Sequence, residues 1–234
     1  MRVAALYDIH GNLPALEAVL EEIAGEDVDA VVVGGDLVSG PFPAETLDLV
    51  ASVPGVLFVR GNADRDVLER DEGHGGAWCA DRLGVERLAQ VASWPLTVRL
   101  DVDGLGPVTF CHATPRSDDE IVTRISPDEG LAAAFAGVGV AVVGHTHVQF
   151  DRRVASLRVV NAGSVGMAYE GRRGAYWAMF GPGVELRRTE YAVDAAVARI
   201  RAVDSPMGDE LIGWLLEPPD PGEATEHFEG LRGA

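Results

Sequence analysis

The N-terminal third of the chain alternates short apolar segments, rich in β-branched residues, with segments whose apolar residues recur at helical spacing. The apolar segments are Val3–Tyr7, Ala30–Val33 and Val56–Val59. Between them lie NLPALEAVLEEIAG and PAETLDLVASVPG, which carry apolar residues every three or four positions. Strands joined through helices pair in parallel, because each helix returns the chain to the same end of the sheet. The pattern therefore predicts an α/β fold with parallel strands.

The rest of the chain is predicted to contain short strands, mostly antiparallel in character, with two more apolar segments at Val108–Cys111 and Val140–Val143. Residues 65–95 are predicted to be helical, with a Gly-rich break at Gly73–Gly76. Residues 128–138 and 193–203 are predicted helices, and residues 217–234 a loosely held tail. No repeat or long linker divides the chain, so we expect a single domain over residues 1–234. The helical segment 65–95 would be an insertion in it, and residues 193–234 its C-terminal helix and tail.

Composition limits the partners of this chain. The net charge of −18 disfavours a nucleic-acid backbone or an anionic membrane as the main partner. All nineteen basic residues are arginine, which excludes lysine Schiff-base chemistry and a Walker-type phosphate lysine. No apolar stretch of about 18 residues and no secretory signal are recognisable. Cys79 and Cys111 are expected to be reduced thiols rather than a disulfide, so we expect a cytoplasmic protein.

Each of the five apolar segments ends in side chains that can bind a metal ion. In chain order these are Asp8, His10, Asp36, Asn62, His112, His145 and His147. A single Asp, Asn or His at such a position is usually a turn former, a helix cap or a surface residue. Five successive strand ends of this kind indicate one shared site, because ligands bind outside the carboxyl ends of strands in open α/β sheets.

The chemistry of these side chains indicates the class of metal. Two carboxylates, one amide oxygen and four imidazoles suit Mn, Fe, Zn, Co or Ni better than Mg or Ca. Seven protein ligands are too many for one catalytic ion that keeps room for water. They suit two divalent ions that share a carboxylate.

Taken together, the motifs resemble those of the calcineurin-like metallophosphoesterases over roughly residues 1–170. They are D-x-H at Asp8 and His10, G-D at Asp36, G-N-x-D at Gly61–Asp64, the strand-end His112, and G-H-T-H at Gly144–His147. NAGSVG at Asn161–Gly166 resembles the N-P-G-S segment of the small bacterial members. The resemblance implies a four-layer α-β-β-α sandwich of two mixed β-sheets flanked by helices, with a dinuclear metal site at the strand ends.

The resemblance also implies a role for each ligand. Asp8, His10 and His147 would hold one ion, Asn62, His112 and His145 the other, and Asp36 would bridge them. The implied activity is hydrolysis of a small phosphodiester or nucleotide, by in-line attack of metal-activated water without a covalent enzyme intermediate. Asp36, Asn62, Asp64 and His112 form the expected catalytic group, in which Asp64 orients a neighbouring ligand. Manganese is the favoured metal, with Fe, Ni, Co or Zn as alternatives.

Three alternatives to this activity remain open. Within the enzymes, the substrate could instead be a dinucleoside polyphosphate or a phosphomonoester. In a different class, the chain could be a non-catalytic scaffold with the same fold. The complete set of seven ligands favours an enzyme, acting on a small phosphate ester and working as a monomer or a homodimer.

One position departs from the family pattern. Many members carry a histidine, assigned as the proton donor to the leaving group, where this chain has Ala63. General-acid help contributes typically 10²–10⁴-fold, so we expect better activity on substrates with good leaving groups. His74 is a candidate replacement, although a solvated surface histidine is the more ordinary role.

Substrate contacts outside the ligand set are expected from three residues. They are Asn12, which also suits the N-cap of the first helix, and the two arginines Arg65 and Arg116. Trp78, Trp94 and Tyr169 could line a nucleobase pocket, although core packing is the more ordinary role for aromatic residues.

Overall fold

The β-strands come from both halves of the chain, and their bounds follow the predicted apolar segments closely. The computed structural model describes residues 1–72 and 75–232. The strands are β1 Val3–Leu6, β2 Ala30–Val33, β3 Val56–Phe58, β4 Thr97–Val102, β5 Gly106–Cys111, β6 Val140–Val143, β7 Phe150–Val154, β8 Leu157–Asn161, β9 Ala175–Phe180 and β10 Val184–Thr189. The helices are α1 Leu13–Ala24, α2 Pro43–Ala51, α3 Asn62–Glu69, α4 Gly76–Ala92, α5 Asp128–Ala134, α6 Val193–Arg201, α7 Gly208–Leu216 and α8 Pro221–Leu231.

The strands form two five-stranded mixed sheets. The first has the order β10-β9-β1-β2-β3. In it β1, β2 and β3 are parallel to one another, and β9 is antiparallel to both of its neighbours, β1 and β10. The second has the order β4-β5-β6-β8-β7, with β5, β6 and β8 parallel and antiparallel strands at both edges. The parallel N-terminal pattern is therefore confirmed. The predicted antiparallel character of the later strands holds for β4–β5, β7–β8 and β9–β10 and is wrong for β5, β6 and β8, which pair in parallel.

The two sheets pack face to face and are covered by helices on their outer sides. Val3 and Val32 of the first sheet share a buried apolar cluster with Phe110 and Val142 of the second. The Tyr7 hydroxyl also donates a hydrogen bond across the interface to the Val142 carbonyl, at 2.9 Å. Side chains of α1, α2 and α4 cover the outer face of the first sheet, and those of α5 cover the second. The predicted four-layer α-β-β-α sandwich is confirmed.

Local signals at the start of the chain act as the sequence predicts. The Asn12 side chain accepts a hydrogen bond from the Ala15 amide and caps α1, whose first turn contains Pro14.

Cys79 and Cys111 are both free and buried. Within residues 1–72 and 75–232, none of the helices combines the length and apolar character needed to cross a membrane. The predicted helical segment 65–95 consists of α3 and α4, and its break includes Gly73 and His74, which lie outside the described residues.

The predicted loose C-terminal tail is wrong for the residues that the structure describes. Residues 221–231 form α8, whose N-cap Asp220 accepts hydrogen bonds from the Gly222 and Glu223 amides. The Glu229 carboxylate fixes the other end of the helix by accepting bonds from the hydroxyls of Thr123 and Ser126. An Asp-Pro pair followed by Glu is a helix-start signal, and the proline-rich surroundings had obscured it. The chain therefore ends in a docked helix that lies close to the ligand-bearing strand ends.

Candidate metal centre

The structure brings all seven predicted ligands together where the carboxyl ends of the two sheets meet. Asp8 and His10 follow β1, Asp36 follows β2, and Asn62 begins α3 after β3, all at the end of the first sheet. His112 follows β5, and His145 and His147 follow β6, at the end of the second sheet. The site therefore lies between the two sheets and takes ligands from both.

Three side chains gather on one side of the site. The Nε2 atoms of His10 and His147 lie 3.2 Å apart, and His147 Nε2 lies 3.3 Å from Asp8 Oδ1. Asp8, His10 and His147 each offer a ligand atom, and these atoms lie within 4.8 Å of one another. This is the group that the family resemblance assigns to the first ion.

A second group lies on the other side of Asp36. The Asp36 Oδ2 atom lies 3.3 Å from His112 Nε2 and 3.8 Å from His10 Nε2, so Asp36 stands between the two groups. The Asn62 side-chain oxygen faces His112 Nε2 at 3.0 Å and His145 Nδ1 at 2.9 Å. Asp8 also belongs to both groups, because its Oδ1 atom lies 3.8 Å from His112 Nε2.

Hydrogen bonds to the backbone aim the ligand atoms inward. The Nδ1 atoms of His112 and His147 lie 3.0 Å from the Gly34 carbonyl and 2.7 Å from the Met167 carbonyl. A proton on each Nδ1 makes these bonds and leaves the Nε2 lone pair free for a metal. In Asp8 and Asp36, likewise, one carboxylate oxygen bonds to the backbone and the other is left for a metal. Asp8 Oδ2 accepts from the His145 amide and Asp36 Oδ1 from the Ala63 amide, while the other oxygen of each faces the imidazoles.

The polar atoms left over fit a bound cation. Among the described residues, Asp8 Oδ1, which faces the imidazoles, is buried and has no hydrogen-bond partner. The Asn62 side-chain amide faces two imidazole nitrogens, so either its NH2 group donates to them or its oxygen joins them around a cation. Each buried, unpaired polar group costs about 1–3 kcal/mol, so such a cluster is unfavourable unless a cation lies among its lone pairs. The mixed N/O donor set fits a divalent transition metal.

The electrostatics of the buried cluster favour a positive charge. Burial lowers the pKa of His112, but the charges of Asp36 and Asp8 outweigh it and raise that pKa to about 10. Burial lowers the pKa values of His10 and His145 to about 4, so both rings are neutral near pH 7. The neutral His10 and His145 rings are in the protonation state that metal binding requires, whereas His112 carries a proton near pH 7 that a bound cation would replace.

The backbone at the site is unusual. Five of the seven predicted ligands have positive φ angles: Asp8 at 51°, His10 at 47°, Asp36 at 54°, His145 at 64° and His147 at 56°. Non-glycine residues rarely adopt this left-handed region, which costs on the order of 1–3 kcal/mol per residue. Backbone bonds impose it here, such as those from the Asp8 amide to the Gly35 carbonyl and from the His10 amide to the Asp36 carbonyl. Strain concentrated on ligand-bearing residues is typical of a functional site.

Asp64 is fully buried and acts on the backbone around the ligands. Its two carboxylate oxygens accept hydrogen bonds of 2.8–3.0 Å from four amides, those of Asp36, Leu37, Val38 and Gly61. Burial and the charge of Asp36 raise the Asp64 pKa to about 7. The carboxylate thus joins the turn after β2 to the start of α3, in keeping with the positioning role predicted for it.

The NAGSVG segment holds the strand ends in place from behind. The Asn161 side-chain Nδ2 donates to the Gly144 carbonyl at 2.6 Å. This bond fixes the loop that carries His145 and His147. The Ser164 hydroxyl donates to the Asp8 carbonyl at 2.7 Å and accepts from the Met167 amide at 2.8 Å. This segment therefore supports ligands from both sheets without contributing one.

A cavity of about 290 Å³ opens onto the ligands, and its outer wall comes from residues that the sequence analysis did not select. Met207, Glu210 and Trp214 of the α7 region and Phe228 of α8 line it, together with Tyr169. The sequence predicts a loose tail over residues 217–234, which contain Phe228, and it predicts no helix at the position of α7. Apolar residues at helical spacing after residue 207, Leu211, Ile212 and Leu215, were the available signal for α7.

The three predicted substrate contacts lie outside this wall. The Asn12 side-chain Nδ2 donates to the Gly166 carbonyl at 2.8 Å. Arg65 Nε donates to Asp118 at 3.0 Å, and Arg116 Nε donates to Glu120 at 2.9 Å. Among the aromatic candidates, Trp94 is buried against Phe58 and Trp78 lies under the Arg82 guanidinium, so only Tyr169 reaches the site.

Comparison with known proteins agrees with this geometry. Residues 1–180 match the family model of the calcineurin-like phosphoesterase superfamily domain. The chain is 29% identical over 242 residues to the uncharacterized protein MJ0912 of Methanocaldococcus jannaschii, covering 92% of this chain and 96% of that protein. It also resembles the crystal structure of a metallophosphoesterase from Sphaerobacter thermophilus, with a TM-score of 0.75 and 28% identity over 93% of this chain and 99% of the other. The hypothetical protein PH1004 of Pyrococcus horikoshii OT3 has the same fold, with a TM-score of 0.79 and 21% identity over 94% of this chain and 99% of that one.

Proposed function

Because this chain belongs to the calcineurin-like phosphoesterase superfamily and is a phosphoric ester hydrolase, we propose that it is a two-metal phosphodiesterase for small phosphodiesters, nucleotides among them. One observation carries the proposal. All seven ligands of the family pattern are present and converge at the junction of the two sheets. A non-catalytic scaffold has no need of this complete set.

Asp8, His10 and His147 would hold one ion, and Asn62, His112 and His145 the other, with Asp36 between them. When bound, two divalent ions supply a Lewis acid for the phosphoryl oxygens and lower the pKa of a water molecule. The chain itself supplies orientation. The Gly34 and Met167 carbonyls keep the Nε2 atoms of His112 and His147 free, and Asp64 holds the amides around Asp36.

The wall formed by Met207, Trp214 and Phe228 excludes bulk water from one side of the ligand cluster. We favour manganese among the metals that this donor set suits. The net charge of −18 supports a small substrate over a nucleic acid, and the two free thiols support a cytoplasmic location.

Ala63 lines the cavity where many family members carry the proton-donating histidine. Its methyl group has no proton to give to a leaving alkoxide. The proposed substrates are therefore esters whose leaving group departs as a stable anion. This preference puts aryl diesters, and polyphosphates whose leaving group is a phosphate, ahead of alkyl monoesters.

The test is hydrolysis by protein reconstituted separately with Mn, Fe, Co, Ni and Zn. We expect release of p-nitrophenol from bis-p-nitrophenyl phosphate, faster than from p-nitrophenyl phosphate. Asp36→Asn should abolish both turnover and metal binding measured by elemental analysis, whereas Asp48→Asn, at an exposed residue paired with Arg87, should change neither. Absence of hydrolysis with every metal would refute the proposal, and full turnover by Asp36→Asn would refute the site.

A second variant tests the role of Ala63. Ala63→His restores the donor, so it should raise the rate on an alkyl phosphodiester by at least tenfold and change the rate on the p-nitrophenyl diester much less. An equal change on both substrates would show that proton donation at this position is not what limits the alkyl ester.

A further inference from the structure

An aromatic cleft adjoins the metal centre and is separate from the ligand set. Its volume is about 440 Å³, within the range of small-molecule sites, and its walls include Tyr169, Trp214 and Phe228. The same three side chains also line the cavity over the ligands. The two spaces are therefore adjacent, and these three side chains form part of the wall of each.

The rings connect the cleft to the metal ligands directly. The Tyr169 ring lies 4.8 Å from the His147 ring, and the Phe228 ring lies 6.1 Å from that of His145. Trp214 meets Tyr169 edge-on at 5.7 Å, and Phe228 lies nearly parallel to Tyr169 at 6.4 Å. Trp214 and Phe228 are only half-buried, so part of each ring stays available to a ligand.

The charges of the cleft favour a neutral occupant over a second phosphate. Its ionisable lining residues among the described part of the chain are Glu223, His227 and Tyr169, with no arginine. Glu210 adds another carboxylate on the neighbouring wall of the ligand cavity. An apolar, aromatic and negatively charged space suits a neutral planar group, and stacking on aromatic side chains is how proteins bind nucleobases without sequence preference.

We propose that this cleft binds the nucleobase of a nucleotide whose phosphate lies at the metal ligands. The inference rests on the proposed function, because it places the phosphate there. It assigns to α7 and α8, which follow the residues matched by the family model, the role of selecting nucleotide esters over simpler phosphate esters.

The test compares two phosphates that differ only in the base. Adenosine 5′-monophosphate and ribose 5-phosphate are measured as competitive inhibitors of bis-p-nitrophenyl phosphate hydrolysis by the manganese-loaded protein. We expect the nucleotide to inhibit about 5- to 150-fold more strongly, which corresponds to the stacking of one base. Trp214→Leu keeps the apolar contacts of α7 but removes the indole face, so this ratio should fall towards one while ribose 5-phosphate inhibits as before.

Trp78→Leu is the matched control, because this half-buried tryptophan lies under Arg82 and does not line either cavity. It should leave the inhibition ratio unchanged. As a readout without metal or phosphate, adenosine should quench tryptophan fluorescence in the wild-type protein and in Trp78→Leu, and not in Trp214→Leu.

The outcomes separate the two proposals. Intact hydrolysis with equal inhibition by the two phosphates would overturn the base cleft alone. An equal weakening of both inhibitors in Trp214→Leu would overturn it too, because the indole would then only shape the ligand cavity. Absence of hydrolysis would overturn the proposed function and, with it, the nucleotide orientation.

Discussion

Adding a single methyl group at Gly144 should disturb both the packing of the protein and the affinity of the site for metal. Gly144 follows β6 directly and precedes His145. A Cβ atom built there would overlap Asp8 Oδ2 and would lie 2.5 Å from Tyr7 Cδ1. Neither neighbour can move easily. The Asp8 oxygen accepts from the His145 amide, and the fully buried Tyr7 ring is held by its bond to the Val142 carbonyl.

The size of the effect of Gly144→Ala follows from this overlap. Forcing a methyl group into a packed interior costs about 1–3 kcal/mol. For a chain of this length each kcal/mol corresponds to about 2–4 °C in Tm, so we expect a decrease of about 2–12 °C. The Asp8 carboxylate must also turn away from His147, so manganese binding should weaken by at least tenfold.

Gly139→Ala is the matched control at the opposite end of β6. A Cβ atom at Gly139 meets nothing within 4 Å, and its φ angle does not require glycine. This substitution should be neutral or stabilising by about 0.4–1 kcal/mol, because it restricts the unfolded chain. Thermal unfolding of the metal-free proteins and calorimetric titration with manganese measure the two effects. Wild-type stability and affinity in Gly144→Ala would refute the packing argument.

Two further predictions concern the support and the occupancy of the site. Ser164→Ala removes a buried hydroxyl that joins the Asp8 carbonyl to the Met167 amide, so it should lower the free energy of unfolding by about 1–3 kcal/mol. Ser93→Ala, which removes an exposed hydroxyl at the end of α4, should change it by less than about 0.5 kcal/mol. Removal of metal with a chelator should abolish hydrolysis. It should also lower Tm by about 11–22 °C relative to protein in manganese at a hundredfold excess over the Kd of each site, because each of the two ions then stabilises by about 2.7 kcal/mol.

Each of these predictions has a clear contrary outcome. Equal unfolding curves for Ser164→Ala and Ser93→Ala would show that the NAGSVG segment does not support the strand ends. An unchanged Tm after chelation, with metal loss verified by elemental analysis, would show that the ions are not coupled to folding.

The convergence of the seven candidate ligands could be predicted from the sequence, because each follows a recognisable strand and carries its own chemistry. Asp36 and His112 needed only two facts, the end of an apolar segment and the convergence of strand ends. The left-handed backbone at Asp8 and His147 could not be predicted, since it arises from hydrogen bonds between segments distant in the sequence.

The aromatic wall was missed for a different physical reason. Trp214 and Phe228 carry no signal of their own, because an aromatic residue on a helix is ordinarily a packing residue. Their position over the ligands depends on how α7 and α8 dock, and tertiary contacts such as those of Glu229 with Thr123 and Ser126 decide this. The substrate contacts predicted for Arg65 and Arg116, and the single-domain organisation, stay predictions.

The division of the ligands between two sheets has a consequence for the order of folding. His10 and His147 lie 137 positions apart in the chain, yet their Nε2 atoms are 3.2 Å apart. Closing so long a loop is entropically costly, and contacts of this range form late. The first sheet alone supplies Asp8, His10, Asp36 and Asn62, and the complete set of seven forms only after the two sheets have docked. A bound ion would then link the two sheets and slow their separation.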